Sequence, residues 1–475
     1  MKLGLFGMTL HTPTRPTAET YEEDADRIIH ADQVGFDEAW IGEHMSCTTE
    51  PISAPMMFLA SLIHRTKNIR FGTGVIALPN HHPAVVAAEV SQFDHLSRGR
   101  MMFGIGPGGL ASDMELFDVL DGAYRTERMM ESIDTILKLW SQDPPYDIQG
   151  KHWKIKLTDT VMPDLGVGFI PKPFQQPHPP IAMTAMSPFS DSVKTAAIRG
   201  WGPMSANFCP EYVIASHWKK YLEGCEVAGR AVSGENWRVA RNIVVARSDS
   251  EALDRMMDPN GSNYYYFEYL WKVLLAVNYT AVMKDDPKQP DDQVTVEQLI
   301  KSMVIYGSPK TVTEKLLAFR ERTGPFGGLL MAAMDGSGAN PGRTGRDHEG
   351  VGRHGEEAPN VQRDTGLEPA AAPVDRRDEG RPTAVEVAHA VRHCELQLAD
   401  DRAGAGDTER QPEPRAVAEG GLERTPILAA PSDQHRDRDG DVDIGAANEE
   451  EALAATGEAS ANPANRPARN VNDMG

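Results

Sequence analysis

The chain has 475 residues, a formal net charge of −21, 40% hydrophobic residues and 7% aromatic residues. That length allows several domains or one large α/β barrel. No apolar run reaches the roughly 18 residues of a membrane span, the acidic balance argues against a nucleic-acid partner, and the scattered Cys47, Cys209, Cys225 and Cys394 indicate neither a zinc site nor a disulfide scaffold. No signal-peptide pattern opens the chain, so a cytoplasmic protein is expected.

Residues 2–8 (KLGLFGM) read as a first strand, and 17–34 as a helix with Tyr21, Ala25, Ile28 and Ile29 at helical spacing, ended by Gly35. A short strand is expected at 38–41, a helix at 55–65, and a third strand at 69–78 (IRFGTGVIAL). The near-continuous apolar character of that strand fits burial on both faces. A helix at 83–96 enters on Pro83, a fourth strand spans 100–105, and 126–140 is a strongly amphipathic helix. The alternation pauses over 144–179, a Pro- and Gly-rich excursion with a hairpin expected around 151–157. It resumes with strands at 180–185, 202–205 and 237–246, and helices at 191–199, 210–228 and from Ser248. Residues 259–300 read as a second excursion, carrying Tyr264, Tyr265, Tyr266, Phe267, Tyr269 and Trp271, whose ordinary role is packing. A helix at 309–322 and an eighth strand at 327–334 (GGLLMAAM) close the series.

Eight strands alternating with helices predict an α/β fold, a TIM-type (β/α)8 barrel with insertions over residues 1–336. A doubly wound sheet is the competing architecture. The one G-x-G-x-x-G match, residues 104–109, follows the fourth strand rather than the first, which is the wrong context for a dinucleotide fingerprint. After Met334 the chain contains no Phe, Trp, Tyr or Lys, and from Ser337 on there are 16 Arg against 28 Asp and Glu. Residues 337–475 are therefore expected to be a disordered tail, short of the large apolar groups that offset chain entropy. This tail has two readings, a natural Ala/Gly/Pro-rich extension or a change of reading frame near Asn340. Within codon degeneracy, residues 347–352 (DHEGVG) can be written so that one base on they read Thr-Met-Lys-Val-Leu-Ala, a helix opening. Residues 359–362 (PNVQ) likewise become Pro-Thr-Phe, so one shift restores both a lysine and an aromatic.

A barrel of this type builds its site at the C-terminal ends of its strands. The candidates are Glu43, His44 and Met45 after the second strand, His81 and His82 after the third, Gly106, Gly108, Gly109, Ser112 and Asp113 after the fourth, and Ser187 and Ser190 after the fifth. A strand-end histidine can handle a proton or simply be structural. His81 and His82 are adjacent, tend to point apart and lack a third ligand, so no metal is expected. The glycines let backbone approach a ligand and turn N–H groups toward an anion, or they form only a turn. Ser187 and Ser190 open a helix, where capping is ordinary and phosphate binding is the alternative. No G-x-S-x-G nucleophile elbow is present.

Several ordered motifs carry a resemblance. They are Glu43-His44; Gly72-Thr73-Gly74 with Leu78-Pro79 and His82-Pro83; Phe93-Asp94-His95-Leu96-Ser97-Arg98-Gly99-Arg100; and Gly104-Ile105-Gly106-Pro107-Gly108 with Ser112-Asp113. Together they resemble the bacterial luciferase-like, flavin-dependent monooxygenase family, most of all its limonene 1,2-monooxygenase-type branch. The resemblance covers residues 1 to about 336 and implies a TIM barrel using reduced FMN and O2, with a C4a-hydroperoxyflavin that oxygenates a small apolar substrate such as a terpene, cyclic ketone or aldehyde. It also implies a separate NAD(P)H-dependent flavin reductase as partner, and a homo-oligomer. His44 matches the family's active-site histidine. Bacterial luciferase carries a second histidine where this chain has Met45, and a phosphate-binding arginine where it has Gly106-Pro107. Phosphate binding is then left to Gly106, Gly108 and Gly109 with Ser187 and Ser190. Val75 and Ile76 match a backbone bend under the isoalloxazine ring, and Met45 and His82 are expected on the substrate side. The nearly uncharged loops favour FMN over coenzyme F420, whose dehydrogenases and reductases share this barrel. A non-catalytic flavin-binding homologue is the remaining alternative.

Overall fold

A computed structural model describes residues 1–334. The expected tail at 337–475 lies outside the described residues, as does any helix after the eighth strand. Twelve strands are described: β1 (Lys2–Gly7), β2 (Glu38–Ile41), β3 (Arg70–Thr73), β4 (Ile76–Ala77), β5 (Met101–Gly106), β6 (Tyr146–Gln149), β7 (Lys154–Leu157), β8 (Ile181–Ala185), β9 (Gly202–Ser205), β10 (Arg238–Val245), β11 (Val304–Gly307) and β12 (Gly328–Ala332). The helices are α1 (Thr17–Gln33), α2 (Pro55–Ala60), α3 (Pro83–Leu96), α4 (Ala111–Leu116), α5 (Gly122–Ser141), α6 (Asp191–Arg199), α7 (Glu211–Val227), α8 (Asp249–Met257), α9 (Ser262–Ala276), α10 (Val296–Met303) and α11 (Pro309–Thr323). None of the described helices is long and apolar enough to cross a membrane.

Parallel pairing runs β1-β2-β3-β5-β8-β9-β10-β12 and returns from β12 to β1, so eight of the described strands close a barrel. Alternation along each strand sorts the side chains into two layers. Leu5, Ile41, Phe71, Phe103, Val239 and Leu329 belong to the layer beneath the helices. Inside the ring, Trp40 packs with Phe6, Met102, Met204, Ala240 and Leu330. Glycine makes room for it: a Cβ at Gly72 would lie 2.3 Å from the Trp40 ring, and one at Gly104 would lie 3.2 Å from its Cζ3.

The two ends of the barrel differ. At the N-terminal end, Arg238 of β10 donates to Glu38 of β2 through Nε (2.9 Å) and Nη2 (2.6 Å), and Trp40 Nε1 donates to the same carboxylate at 2.9 Å. At the C-terminal end, β2, β3, β5 and β8 continue inward with Gly42, Gly74, Gly106 and Thr184, while Met8 continues β1 and lies against Gly42, where a Cβ would be 2.4 Å from its Cγ. Small residues there leave a mouth above the Trp40 layer.

The structure corrects several expectations. The helix expected at 55–65 ends at Ala60 and continues as turns. The amphipathic helix starts earlier, at Gly122, because Asp121 caps it by accepting the Tyr124 N–H. The third strand breaks into β3 and β4 around a cis Gly74–Val75 peptide. The hairpin spans β6 and β7, wider than expected. The second excursion contains α9 and α10, and β11 pairs with the C-terminal half of β10 off the ring. The α9 sequence (SNYYYFEYLWKVLLA) is aromatic on nearly every side, so it lacks the polar-apolar contrast that marks a surface helix.

Candidate active site

His44 sits just past β2, in the mouth. Its Nε2 lies 3.3 Å from Glu50 Oε2, and its Nδ1 lies 3.5 Å from Asp113 Oδ2. Asp113, on α4, also accepts the N–H groups of Met45 (3.0 Å) and Ser46 (2.8 Å) and the Ser46 hydroxyl. Burial would raise the Asp113 carboxyl, but the neighbouring His44 ring and the hydrogen bonds from Ser46 and Met45 outweigh it and hold the group at about 2. Burial would lower His44; the two neighbouring carboxylates raise it above its ordinary value. His44 and Glu50 line one cleft with Gly7, Met8, Thr9, Asp24 and Gly42.

Glu43 performs a different task. One of its oxygens accepts the Ala77 N–H at 2.9 Å, and His81 Nε2 stands 3.0 Å from the other. This pair ties the end of β2 to β4 and gives His81 a carboxylate partner. His82 stands apart from the cluster: it is exposed, caps α3 by accepting the Ala84 N–H at 3.3 Å, and sets its ring edge against Trp153. Met45 is half-buried beside Asp113.

The glycine and serine loops adjoin because β5 and β8 are neighbours in the ring. A Cβ at Gly106 would lie 2.7 Å from Val75 Cγ2 and 2.8 Å from Thr184 Oγ1, so these three positions share one wall of the mouth. Ile76 points the other way, into the helix-facing core. Gly108 has φ +91°, a conformation that excludes most side chains, and a Cβ at Gly109 would meet only open space. Ser190 occupies the N-cap position of α6 but makes no side-chain capping bond, contrary to ordinary capping.

Two residues of α7 grip the serine loop. His217 Nε2 donates to the Ser187 carbonyl at 2.9 Å, and Ser216 Oγ accepts the Phe189 N–H at 2.8 Å. His217 Nδ1 faces the Ser205 hydroxyl at 2.8 Å, and that hydroxyl accepts from Trp237 Nε1 at 2.9 Å. Burial and the charge of Arg241 push His217 down to about 4, so the ring is neutral.

Sequence reasoning missed Glu50, Thr184 and the α7 pair. Thr184 had a readable signal, since it shares an inward parity with Ala182. Glu50 and His217 had none, because only chain folding brings them to His44 and Ser187.

A family model described as luciferase-like monooxygenase matches residues 1–325. The chain is 30% identical over 342 residues to 4-hydroxyprotoasukamycin monooxygenase of Streptomyces nodosus subsp. asukaensis, spanning 70% of this chain and 86% of that protein. It is 29% identical over 314 residues to limonene 1,2-monooxygenase of Rhodococcus erythropolis, spanning 65% and 74%. Among solved structures, the oxygenating constituent of 3,6-diketocamphane monooxygenase from Pseudomonas putida, a type II Baeyer-Villiger monooxygenase in complex with FMN, aligns with TM-score 0.63 at 28% identity, covering 70% of this chain and 91% of that one.

Proposed function

This chain belongs to the luciferase-like monooxygenase family, and from that we propose that it is the oxygenating component of a two-component system. It uses reduced FMN and O2 to oxygenate a small apolar substrate, a terpene, cyclic ketone or aldehyde. A separate NAD(P)H-dependent reductase supplies the reduced flavin, and the working form is a homo-oligomer. The observation that carries this reading is His44 held between the carboxyl groups of Glu50 and Asp113 in a glycine-lined mouth over an apolar floor.

The residues fit a flavin. Gly42, Gly74 and Gly106 let Met8, Phe6 and Val75 pack closely along the wall, a Cβ at Gly109 would meet open space, and Phe6 and Trp40 form an apolar floor. Bound reduced flavin supplies the electrons and the place where oxygen is activated. The chain's own residues do the rest. Val75 and Thr184, which share one wall of the mouth, would border a bound flavin. The Gly106, Gly108 and Gly109 backbone, with Ser187 and Ser190, holds the phosphate by N–H and hydroxyl donation. His44 holds a proton at the reacting face, and the apolar layer excludes water.

Binding of FMN, riboflavin and coenzyme F420 to the full chain tests the cofactor. Product analysis with an alkene, a ketone and an aldehyde, in the presence of a flavin reductase, NAD(P)H and O2, tests the reaction. FMN is expected to bind tightest and an oxygenated product to form only with the reductase present. Preferred F420 binding with no oxygen transfer would identify a dehydrogenase or reductase instead.

A further inference from the structure

His44 is flanked by carboxyl groups on both ring nitrogens, and they differ. Asp113 is saturated with hydrogen bonds from Met45 and Ser46 and is firmly ionised. Glu50 stands at Nε2, on the side of the ring that faces the cleft with Thr9 and Asp24. The His44 and Glu50 side chains are only 13% and 14% exposed, so the charge of one is weakly screened from the other. Burial holds the Glu50 carboxyl above its ordinary value, although His44 and His11 pull it part of the way down. His11 is itself bonded to Asp24 at 3.1 Å. The other titratable groups near Glu50 are Tyr266 and Tyr269 of α9, whose hydroxyls burial pushes up and keeps neutral, with Cys47 beside Tyr269.

We propose, resting on the function above, that Glu50 is a positioning residue for His44: with Asp113 across the ring it fixes the imidazole between two carboxyl groups and keeps it protonated, so that His44 enters the reaction as an acid.

The test is NMR of the full chain with labelled histidine and no flavin added, the His44 signal being assigned by its loss in His44→Gln. The wild-type titration midpoint is expected above the ordinary value of about 6.5. Glu50→Gln keeps the shape and removes the charge, and is expected to lower that midpoint by about one pH unit or more. Glu50→Asp is expected to restore part of the difference. During turnover, the alkaline limb of the product-yield profile should move down with it, with FMN affinity within about twofold of wild type. A purely structural Glu50 would lower the yield at every pH and leave the limb in place. An unmoved His44 titration in Glu50→Gln overturns the proposal. So does a wild-type midpoint below the ordinary value, which needs no variant to fold. A shifted titration in a protein that oxygenates nothing supports the pairing and overturns only the proposed function.

Discussion

At His44, burial and two carboxyl groups compete over one proton, and the carboxyl groups prevail. Replacing the ring removes the proton carrier and leaves the glycine-lined wall intact. His44→Ala is therefore expected to keep FMN affinity within about tenfold and to cut coupled oxygenation about 100-fold, typical of a positioned acid or base. Unchanged product yield would remove His44 from this role. His217 presents the opposite balance, because among the described residues no carboxylate pairs with it and burial keeps it neutral. Its folded value, about 4, lies below the unfolded 6.5, so the unfolded chain binds the proton more tightly. The stability tied to a neutral His217 is complete above about pH 6.5 and is lost as the pH falls toward 4. Urea midpoints measured across that window should fall with pH, and part of the fall should vanish in His217→Gln. An identical pH profile in the variant would rule His217 out as a source of acid lability.

At the scale of elements, the mouth is assembled from loops that follow neighbouring strands. β5 ends in Gly106 and β8 leads into Ser187, and their parallel register sets the two loops side by side. The wall could be read from glycine and parity, but the second grip could not. α7 reaches back to Ser187 and Phe189 from a different βα unit. Gly109 offers the cleanest probe of the loop, because a side chain there meets open space and requires no left-handed backbone. Gly109→Asp adds a negative charge beside the proposed phosphate position. It is expected to weaken FMN about tenfold or more and riboflavin by no more than about twofold, each measured by fluorescence titration. Equal losses for both ligands would place the phosphate elsewhere.

At the scale of the whole molecule, the barrel is asymmetric along its axis. The N-terminal end is closed by the Glu38–Arg238 pair, which joins β2 to β10 with Glu38 2% exposed. Glu38→Gln would strand a largely buried guanidinium, at a cost of about 3–5 kcal/mol, the range for breaking such a pair. Chemical denaturation should register that loss while FMN affinity at the other end stays unchanged. Loss of every aromatic and lysine after Met334 motivates the frame-change reading. Moving the frame by one base near codon 340 is expected to give a more soluble and more stable protein. Unchanged stability in the reframed product would favour the natural extension.

The sequence by itself determined the barrel and the rim. Strand and helix periodicities are local, and a closed parallel ring follows once eight such units occur in order, so residues 1–334 were legible down to most strands. His44, Gly106 and Ser187 were legible as rim candidates, because each lies at or within three residues of the C-terminal end of a strand, and that position is a property of sequence. Tertiary structure alone decided what surrounds them. Glu50 meets Nε2 of His44 because of how one loop folds back, Asp113 arrives on α4 from another βα unit, and His217 spans from α7 to the serine loop. The aromatic stretch of α9 became a helix because it packs with α10 and Val304 of β11, burying a face its own pattern does not mark. Periodicity encodes which way a side chain points relative to its own backbone. Which distant group it meets depends on the closure of the ring, and that information is spread over the whole chain.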